Sequence, residues 1–525
     1  MAATPASHPL PPEDTSGTTL SSWFGTAPAL PDYPALAEDA TADVVVIGGG
    51  IAGLTTAYLL SKEGRAVVLL EDGALASGES GRTTAHLSYA LDDRFTTLEN
   101  LFGLDGSRLA AESHRAAIAR IEQLVQEEHI DCDFARLPGY LFLPASGTHQ
   151  ELMDELEAAH RAGLTDVEWL PRPGSVGFET GECLHFPGQG QFHILKYLAG
   201  LAEAIIRQGG RIYCHTRADE VKGGSAAEVR TTSGHTLAVR QAIVVATNSP
   251  FNDRVVMHTK QGSYRTYALA ARVPKGSVAP ALFWDTADPY HYIRLQAVEG
   301  ADYDLLLVGG EDHKTGQEAD PESHLRCLED WVREKFAAKV QQIDYRWSGQ
   351  VLEPNDSLGY AGRNPLDRDN VFIITGDSGH GMTHATLGAL LITDLVQGRP
   401  NPWANLYDPG RITAKAESAK EFALENLNVA FEYTDLLTGG DVASADEIAA
   451  GQGAVLRRGL TKVAAYRDPA GQLHECSAIC PHLGCVVHWN PLETSWDCPC
   501  HGSRFTALGE LLAGPANSDL PKVEG

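Results

Sequence analysis

Apolar residues along the chain fall into two regimes. Over residues 42–408, β-branched runs such as Val44-Val45-Val46-Ile47, Val67-Val68-Leu69-Leu70 and Ile243-Val244-Val245 alternate with helix-forming stretches, among them Ile51 to Glu63 and Ile194 to Gln208. Runs this apolar, without polar alternation, predict strands buried on both faces, the habit of a parallel sheet covered by helices. From Ala414 to Leu437 the sequence turns polar and helix-forming, which predicts a connection between domains. After Gly439 the apolar runs shorten and end in Gly, Pro or Asp, which predicts a small all-β domain. The expected organisation is a polar tail over residues 1–40, an α/β module over 41–412, a helical linker over 413–438 and an all-β domain over 439–525.

At 525 residues the chain exceeds one ordinary domain. Hydrophobic residues at 43% and charged residues at 21% are those of a globular protein. The net charge of −28 disfavours nucleic acid and anionic membrane surfaces as partners, since both reward positive charge. No apolar run approaches the roughly 18 residues that span a bilayer. The N-terminal stretch is rich in Pro, Ala, Ser and Thr and lacks a basic segment followed by an apolar one. It therefore predicts a solvated tail and not a secretory signal, and the expected location is cytoplasmic.

The first strand leads into Gly48, Gly50 and Gly53, a G-x-G-x-x-G turn that opens a helix. Gly48 permits the tight turn, Gly50 lets the backbone approach a pyrophosphate, and Gly53 lets the helix pack closely on the strand. The phosphates then sit on the positive end of the helix. The next strand ends in Glu71, at the spacing expected of an acid that grips a ribose hydroxyl. Turn, strand, helix and acid together predict a dinucleotide site; the alternative is a glycine-rich turn without a ligand. Three further stretches favour FAD over NAD. Gly78 to His86 forms a second loop rich in glycine and hydroxyls, with one cation, Arg82, beside Thr83 and Thr84. Another strand runs into Ala246, Thr247 and Asn248, a turn of the kind that touches a cofactor. A last one opens into Gly376, Asp377, Gly379, Gly381, Met382 and Thr383, a helix entry able to stabilise negative charge on the flavin ring or ribityl chain. No second G-x-G-x-x-G follows, so the expected reductant is an organic substrate rather than NAD(P)H.

On these motifs, together with Trp347 to Gln350 and Asp356, residues 42–409 resemble the D-amino-acid oxidase-like family of FAD enzymes, which includes glycine and sarcosine oxidases. The resemblance implies two lobes, a Rossmann-like FAD-binding lobe and an antiparallel-sheet substrate lobe over the isoalloxazine. It also implies oxidation of a C–N or C–O bond by hydride transfer to the flavin. Some dehydrogenases of the family hold FAD covalently through a histidine in a Thr-Thr-x-His loop, and Thr83, Thr84 and His86 share that arrangement. Tyr264, Arg265, Tyr292, Arg294 and Arg346 are candidates for a clamp on a substrate carboxylate, since Arg grips carboxylates in bidentate fashion. Each suits an ordinary structural role equally well, and no residue stands out as the catalytic base.

The cysteines add a second centre. Of nine, Cys132, Cys183, Cys214 and Cys327 are scattered and are expected to be buried structural thiols. The other five lie between Cys476 and Cys500. Cys480 with His482, and Cys498 with His501, each offer one thiolate and one imidazole. A Rieske [2Fe–2S] centre needs that set, two thiolates on one iron and two imidazoles on the other. A tetrahedral zinc site is the alternative, but the ordinary finger spacing is absent. A Rieske oxygenase is disfavoured by the flavoprotein pattern upstream. Residues 443–520 resemble the respiratory and photosynthetic Rieske proteins. That resemblance implies a Cys485–Cys500 disulfide stapling the two loops, a Ser503 hydroxyl donating to the cluster, and a shielding loop at Gly514 and Pro515. Disulfides are rare in a reducing cytosol, although one buried beside a cluster persists kinetically. Cys476 is expected to be a spare strand cysteine.

Read together, the two centres predict electron flow from a small-molecule substrate, an amine or amino acid favoured, to FAD, then to the cluster. From there electrons would leave to an external one-electron carrier, a protein or a quinone, facing the cluster's two imidazoles. The contrasting expectation is a redox relay without its own substrate, and an open or plugged cavity beside the flavin separates the two. Hydrogen bonds to the cluster sulfurs favour the reduced state and raise the potential. Ser503 keeps one such donor, but Phe505 stands where high-potential relatives carry a tyrosine. A redox titration followed by EPR is expected to place the potential within roughly −150 to +300 mV, below the quinol-oxidising members; a value at the upper end contradicts this.

Overall fold

The computed structural model describes residues 16–523, apart from 145, 175, 253–255, 338 and 414. The runs Ala40–Ile47, Val67–Leu70, Arg211–Tyr213, Thr236–Val245 and Val371–Thr375 form a parallel sheet. Its order is 371–375, 236–245, 40–47, 67–70, 211–213, with Tyr360–Arg363 antiparallel at one edge. Side chains alternate between faces with period two. Val44, Val46, Val67 and Leu69 enter one core with the helices Ile51–Lys62 and Gly381–Val396, whereas Val45, Ile47, Val68 and Leu70 enter another. Burial on both faces is why these strands carry no polar alternation.

A second sheet of nine strands forms the other lobe. Its long strands Gln261–Pro274, Tyr303–Lys314 and Gln342–Pro354 pair antiparallel. One face packs under the helix Pro321–Lys335 through Leu325, Leu328 and Val332. The other shares a core with the first lobe through Ala268, Ala270, Leu305 and Leu307. Two small antiparallel sheets complete the chain, one over Gln452–Ser477 and one over His488–Ala513. The fold is thus α/β with two lobes, followed by a small all-β domain. Between them runs the helix Ala416–Glu432, then a 3-10 turn at Tyr433–Leu437. Among the described residues no helix is long and apolar enough to cross a membrane.

Two expectations are corrected. Residues 1–15 lie outside the described residues, but from Ser16 on the supposed solvated tail is packed. Trp23 is fully buried and its Nε1–H donates to the Thr83 carbonyl, while Ser21 Oγ donates to Gly81 O at 2.6 Å. One large aromatic anchors a stretch whose composition is otherwise that of a linker. Of the scattered cysteines, Cys132, Cys183 and Cys214 are buried, but Cys327 is exposed on its helix.

The all-β domain is riveted to the flavoprotein module by an ion cluster centred on Glu493. The Glu493 carboxylate is fully buried and meets Arg82 at 3.0 Å and Arg265 at 3.4 Å. It also accepts from Ser348 Oγ and from Thr19 N at 3.0 Å. Arg504, from the same domain as Glu493, pairs with Asp497 at 3.0 Å and donates to the Ser16 carbonyl. Burial opposes ionisation of Glu493, but Arg82, Arg265 and Arg504 outweigh it and hold the carboxyl well below its ordinary 4.5. Glu493→Gln leaves buried guanidinium groups uncompensated and is expected to cost about 3–5 kcal/mol in urea unfolding. The sign of the pH effect follows: the stabilisation is full above the unfolded value of 4.5 and fades as pH falls toward the depressed folded pKa. Glu493→Gln is therefore expected to flatten the acid limb of a stability–pH curve.

Candidate functional site

A cavity of about 630 Å³ lies between the two lobes and the all-β domain. One end is built by the glycine turn. Gly48 takes a φ of +112°, and a Cβ on Gly53 would overlap the Gly48 carbonyl. The helix therefore begins close against the strand, with Gly48, Gly50 and Ile51 on the cavity wall. Ser80, which the sequence did not single out, accepts from the Ile51 N–H at 3.0 Å. Glu71 closes this end, held by the N–H groups of Gly49 and Gly73. Burial, then the neighbouring Asp72, raises its pKa.

The other predicted cofactor residues divide. Thr83, Thr84, Ala246, Thr247, Gly376, Asp377, Gly379, Gly381 and Met382 line the same cavity. Thr383 does not: it sits behind the wall, paired with His114 Nδ1 at 2.8 Å. Arg82 reaches the wall, but its guanidinium is occupied by Glu493, by Ser348 O at 2.7 Å and by Thr19 O at 3.0 Å. Arg82 thus both lines the cavity and ties the two modules together. Asp377 is lifted to about 6 by burial. The C-terminal domain supplies a wall of its own, Thr506, residues 510–514, Ala516, Asn517 and Asp519, and Arg217 donates to Leu511 O at 2.7 Å across the seam.

At its far end the cavity is lined by His86, Asp92, Thr266, Trp284, Tyr290, Tyr292 and His380. His380 Nε2 lies 2.8 Å from the Asp92 backbone N and 3.5 Å from its carboxylate, and Tyr292 OH pairs with Thr266 Oγ1 at 3.1 Å. Burial opposes ionisation of Asp92, but His380 and Arg94 outweigh it and lower its pKa. Of the clamp candidates only Tyr292 reaches this end. Arg265 is bound to Ser348 and Glu493, Arg346 pairs with Glu329, and Tyr264 donates to Glu425 at 3.0 Å. Arg294 holds the carbonyls of Thr84 and Ala85 at 3.1 and 2.8 Å, fixing the loop. Asp356 is a structural partner of Arg411 at 2.7 Å.

The cluster loops mirror each other. Cys480 N–H donates to Cys485 O, and Cys498 N–H to Ser503 O, each at 2.8 Å. The Cys480 and Cys498 thiols are buried and share a hydrogen bond, and Cys485 and Cys500 form a disulfide with Cα atoms 6.4 Å apart. The His482 and His501 rings meet edge to face at 5.0 Å. His501 Nδ1 is buried without a hydrogen-bond partner among the described residues, which suits a metal ligand. Ser503 Oγ reaches Cys480 and accepts from Ala516 N at 3.0 Å. Cys476 is a buried strand residue. The donor set fits a [2Fe–2S] centre: paired thiols on one side, paired imidazoles on the other.

The two imidazoles, His501 buried and His482 half-buried, border the flavoprotein module. His258 of the flavoprotein module packs against His482 at 4.9 Å and His501 at 6.2 Å. Beside them Gln350, a cavity-lining residue, donates to Gly502 O at 2.8 Å and to Ser263 Oγ at 2.6 Å. Gly502 has a φ of +78°, and a Cβ there would strike Ser263 and Gln350, so the approach is backbone to side chain.

A two-lobed fold with this cavity defines an FAD oxidoreductase of the amine and amino-acid oxidase type, carrying a Rieske domain. The chain belongs to the FAD dependent oxidoreductase family, whose model matches residues 43–395, and the Rieske [2Fe-2S] domain model matches 440–524. It binds FAD and a [2Fe–2S] cluster. It is 34% identical over 518 residues to YhfW of Bacillus subtilis, named as a Rieske 2Fe-2S iron-sulfur protein, covering 96% of this chain and 97% of that one. It is 29% identical over 406 residues to gamma-glutamylputrescine oxidoreductase of Escherichia coli, covering 74% and 92%. The solved glycine oxidase of Geobacillus kaustophilus matches with a TM-score of 0.57 and 21% identity, over 71% of this chain and 99% of that one.

Both ring nitrogens of His86 are engaged, Nδ1 with Thr84 Oγ1 at 3.0 Å and Nε2 with Ile293 O at 3.2 Å. Burial, then the Arg294 charge, pushes its pKa down to about 3, so the ring is neutral. No ring nitrogen remains for a bond to the cofactor. Acid precipitation is expected to release intact FAD into the supernatant; flavin that stays with the pellet contradicts this.

Proposed function

We propose that the protein oxidises a cationic amine at the C–N bond and passes the electrons through its own cluster to an external acceptor. The observation that carries the reading is Gln350, which borders the cofactor cavity and at the same time holds Gly502, the neighbour of ligand His501. Gln350 thus joins the cavity wall to a ligand-bearing loop of the Rieske domain. When bound, FAD takes two electrons from the substrate and can return them singly. The chain's own part is to bind, orient and exclude water. The far end of the cavity offers the Asp92 carboxylate, 3.5 Å from His380 Nε2, among Tyr290, Tyr292 and Trp284, while Arg265, Arg294 and Arg346 lie outside the lining. That lining suits an ammonium group better than a substrate carboxylate.

Anaerobic titration of the holoprotein with primary and secondary amines, read by visible absorption and low-temperature EPR, tests it. Flavin bleaching followed by a rhombic cluster signal is expected with amines, and a weaker response with α-amino acids. Asp92→Asn is expected to raise the amine concentration needed by roughly tenfold or more. If every amine leaves the flavin oxidised while dithionite reduces both centres, the protein is a relay fed by another protein.

A further inference from the structure

A second cavity, of about 270 Å³, opens between the flavoprotein module and the linker helix Ala416–Glu432. It shares no lining residue with the flavin cavity: Asp92 lines that one, and the next residue, Asp93, lines this one. Among the described residues its walls hold four carboxylates, Asp93, Glu353, Glu421 and Glu425, and no lysine, arginine or histidine. Asp93 and Glu353 belong to the flavoprotein module, whereas Glu421 and Glu425 lie one turn apart on the linker helix. Among the described residues only Glu425 is matched by a cation, Lys314 at 2.8 Å, and it also accepts from Tyr264 OH at 3.0 Å. The cavity therefore brings unmatched carboxylates together across a contact between two elements, and like charges placed so repel.

The cavity is also short of donors. Ser378 Oγ lies 3.0 Å from Asp93 Oδ2 and 2.8 Å from Glu353 Oε2, and its one proton reaches one carboxylate at a time. Asn355, on the cavity wall and 8% exposed, commits its Nδ2 to Thr259 O at 3.0 Å. Its Oδ1 is left buried without a partner among the described residues, a state buried acceptors seldom keep. Burial lifts the Asp93 carboxyl to about 6, and burial, then Asp93, lifts Glu353. Missing donors and missing positive charge are both supplied by an ammonium group. We infer that this cavity binds a short linear diammonium ion, one end at Asp93, Glu353 and Asn355 Oδ1 and the other at Glu421, and that the ion clasps the linker helix to the flavoprotein module. A single metal ion does not match the lining. Such an ion gathers its ligands around one point, and among the described residues no three of these carboxylates bring ligand atoms within 4.8 Å of one another. Leu101 and Pro354 form an apolar part of the wall, suited to the methylenes between two ammonium groups.

The test is anaerobic calorimetric titration of dithionite-reduced holoprotein with 1,4-diaminobutane. Reduced flavin accepts no hydride, so binding is read without turnover, and the result stands whether or not amines are substrates. Asp92→Asn, which alters only the flavin cavity, is expected to bind the diamine at this site as the parent does. In that background Glu421→Gln and Glu353→Gln are each expected to weaken binding roughly tenfold or more, since each removes a charge-assisted hydrogen bond. Glu299→Gln, at an exposed acid outside both cavities, should change nothing. 1-Aminobutane, with one ammonium group, should bind at least roughly tenfold more weakly. Far-UV circular dichroism and the cluster EPR spectrum should be the same in every variant, which shows that the fold is intact. Four outcomes overturn the inference: no binding by Asp92→Asn, equal affinity after Glu421→Gln or Glu353→Gln, equal affinity for 1-aminobutane, or displacement of the diamine by an equal concentration of Mg²⁺, which would make this a metal site.

Discussion

The arrangement of both redox sites depends on one buried carboxylate. Glu493 belongs to the Rieske domain, yet two of its guanidinium partners, Arg82 and Arg265, belong to the flavoprotein module. A charge in a dry seam is costly unless it is matched, and the match is strict in geometry. The seam therefore has one register, and the contacts that bear on electron transfer follow from it: Gln350 against Gly502, His258 against the two ligand imidazoles, and the 510–514 segment along the cofactor cavity. Weak, adaptable apolar contact alone would hold the domains together without fixing that register.

Much of this was legible in the sequence, for reasons of locality. The glycine turn, the strand that ends in Glu71 and the two Cys-x-His and Cys-x-x-His loops are short motifs whose spacing is dictated by what they hold. The β-branched runs announced the parallel sheet because both of its faces are covered. What remained hidden is long-range. His86, Asp92, Tyr290, Tyr292 and His380 meet only when strands far apart in the chain pair, and nothing local marks them as a group. The second task of Arg82 stayed hidden for a related reason. A lone cation in a glycine-rich loop suits a phosphate, and its true partner lies more than four hundred residues away, in a domain whose docking no local pattern encodes. Trp23 was overlooked because composition averages over a window and a single buried aromatic does not.

The orientation of the cluster gives the molecule an inside and an outside for electrons. Imidazole edges were expected to face a partner, and here His258 lies against them, with His501 buried and His482 half-buried. The disulfide side lies beneath the linker helix instead. A segment that the sequence marks only as a polar connection is therefore also packed against the disulfide beside a metal centre.

The 510–514 segment carries a different consequence. Because it forms a wall of the flavin cavity, the flavin site is not complete within its own module. During synthesis the flavoprotein lobes emerge first with that side open, and the Rieske domain, arriving later, shuts it. A chain whose cluster domain is misplaced is thus a chain whose flavin cavity lacks one wall.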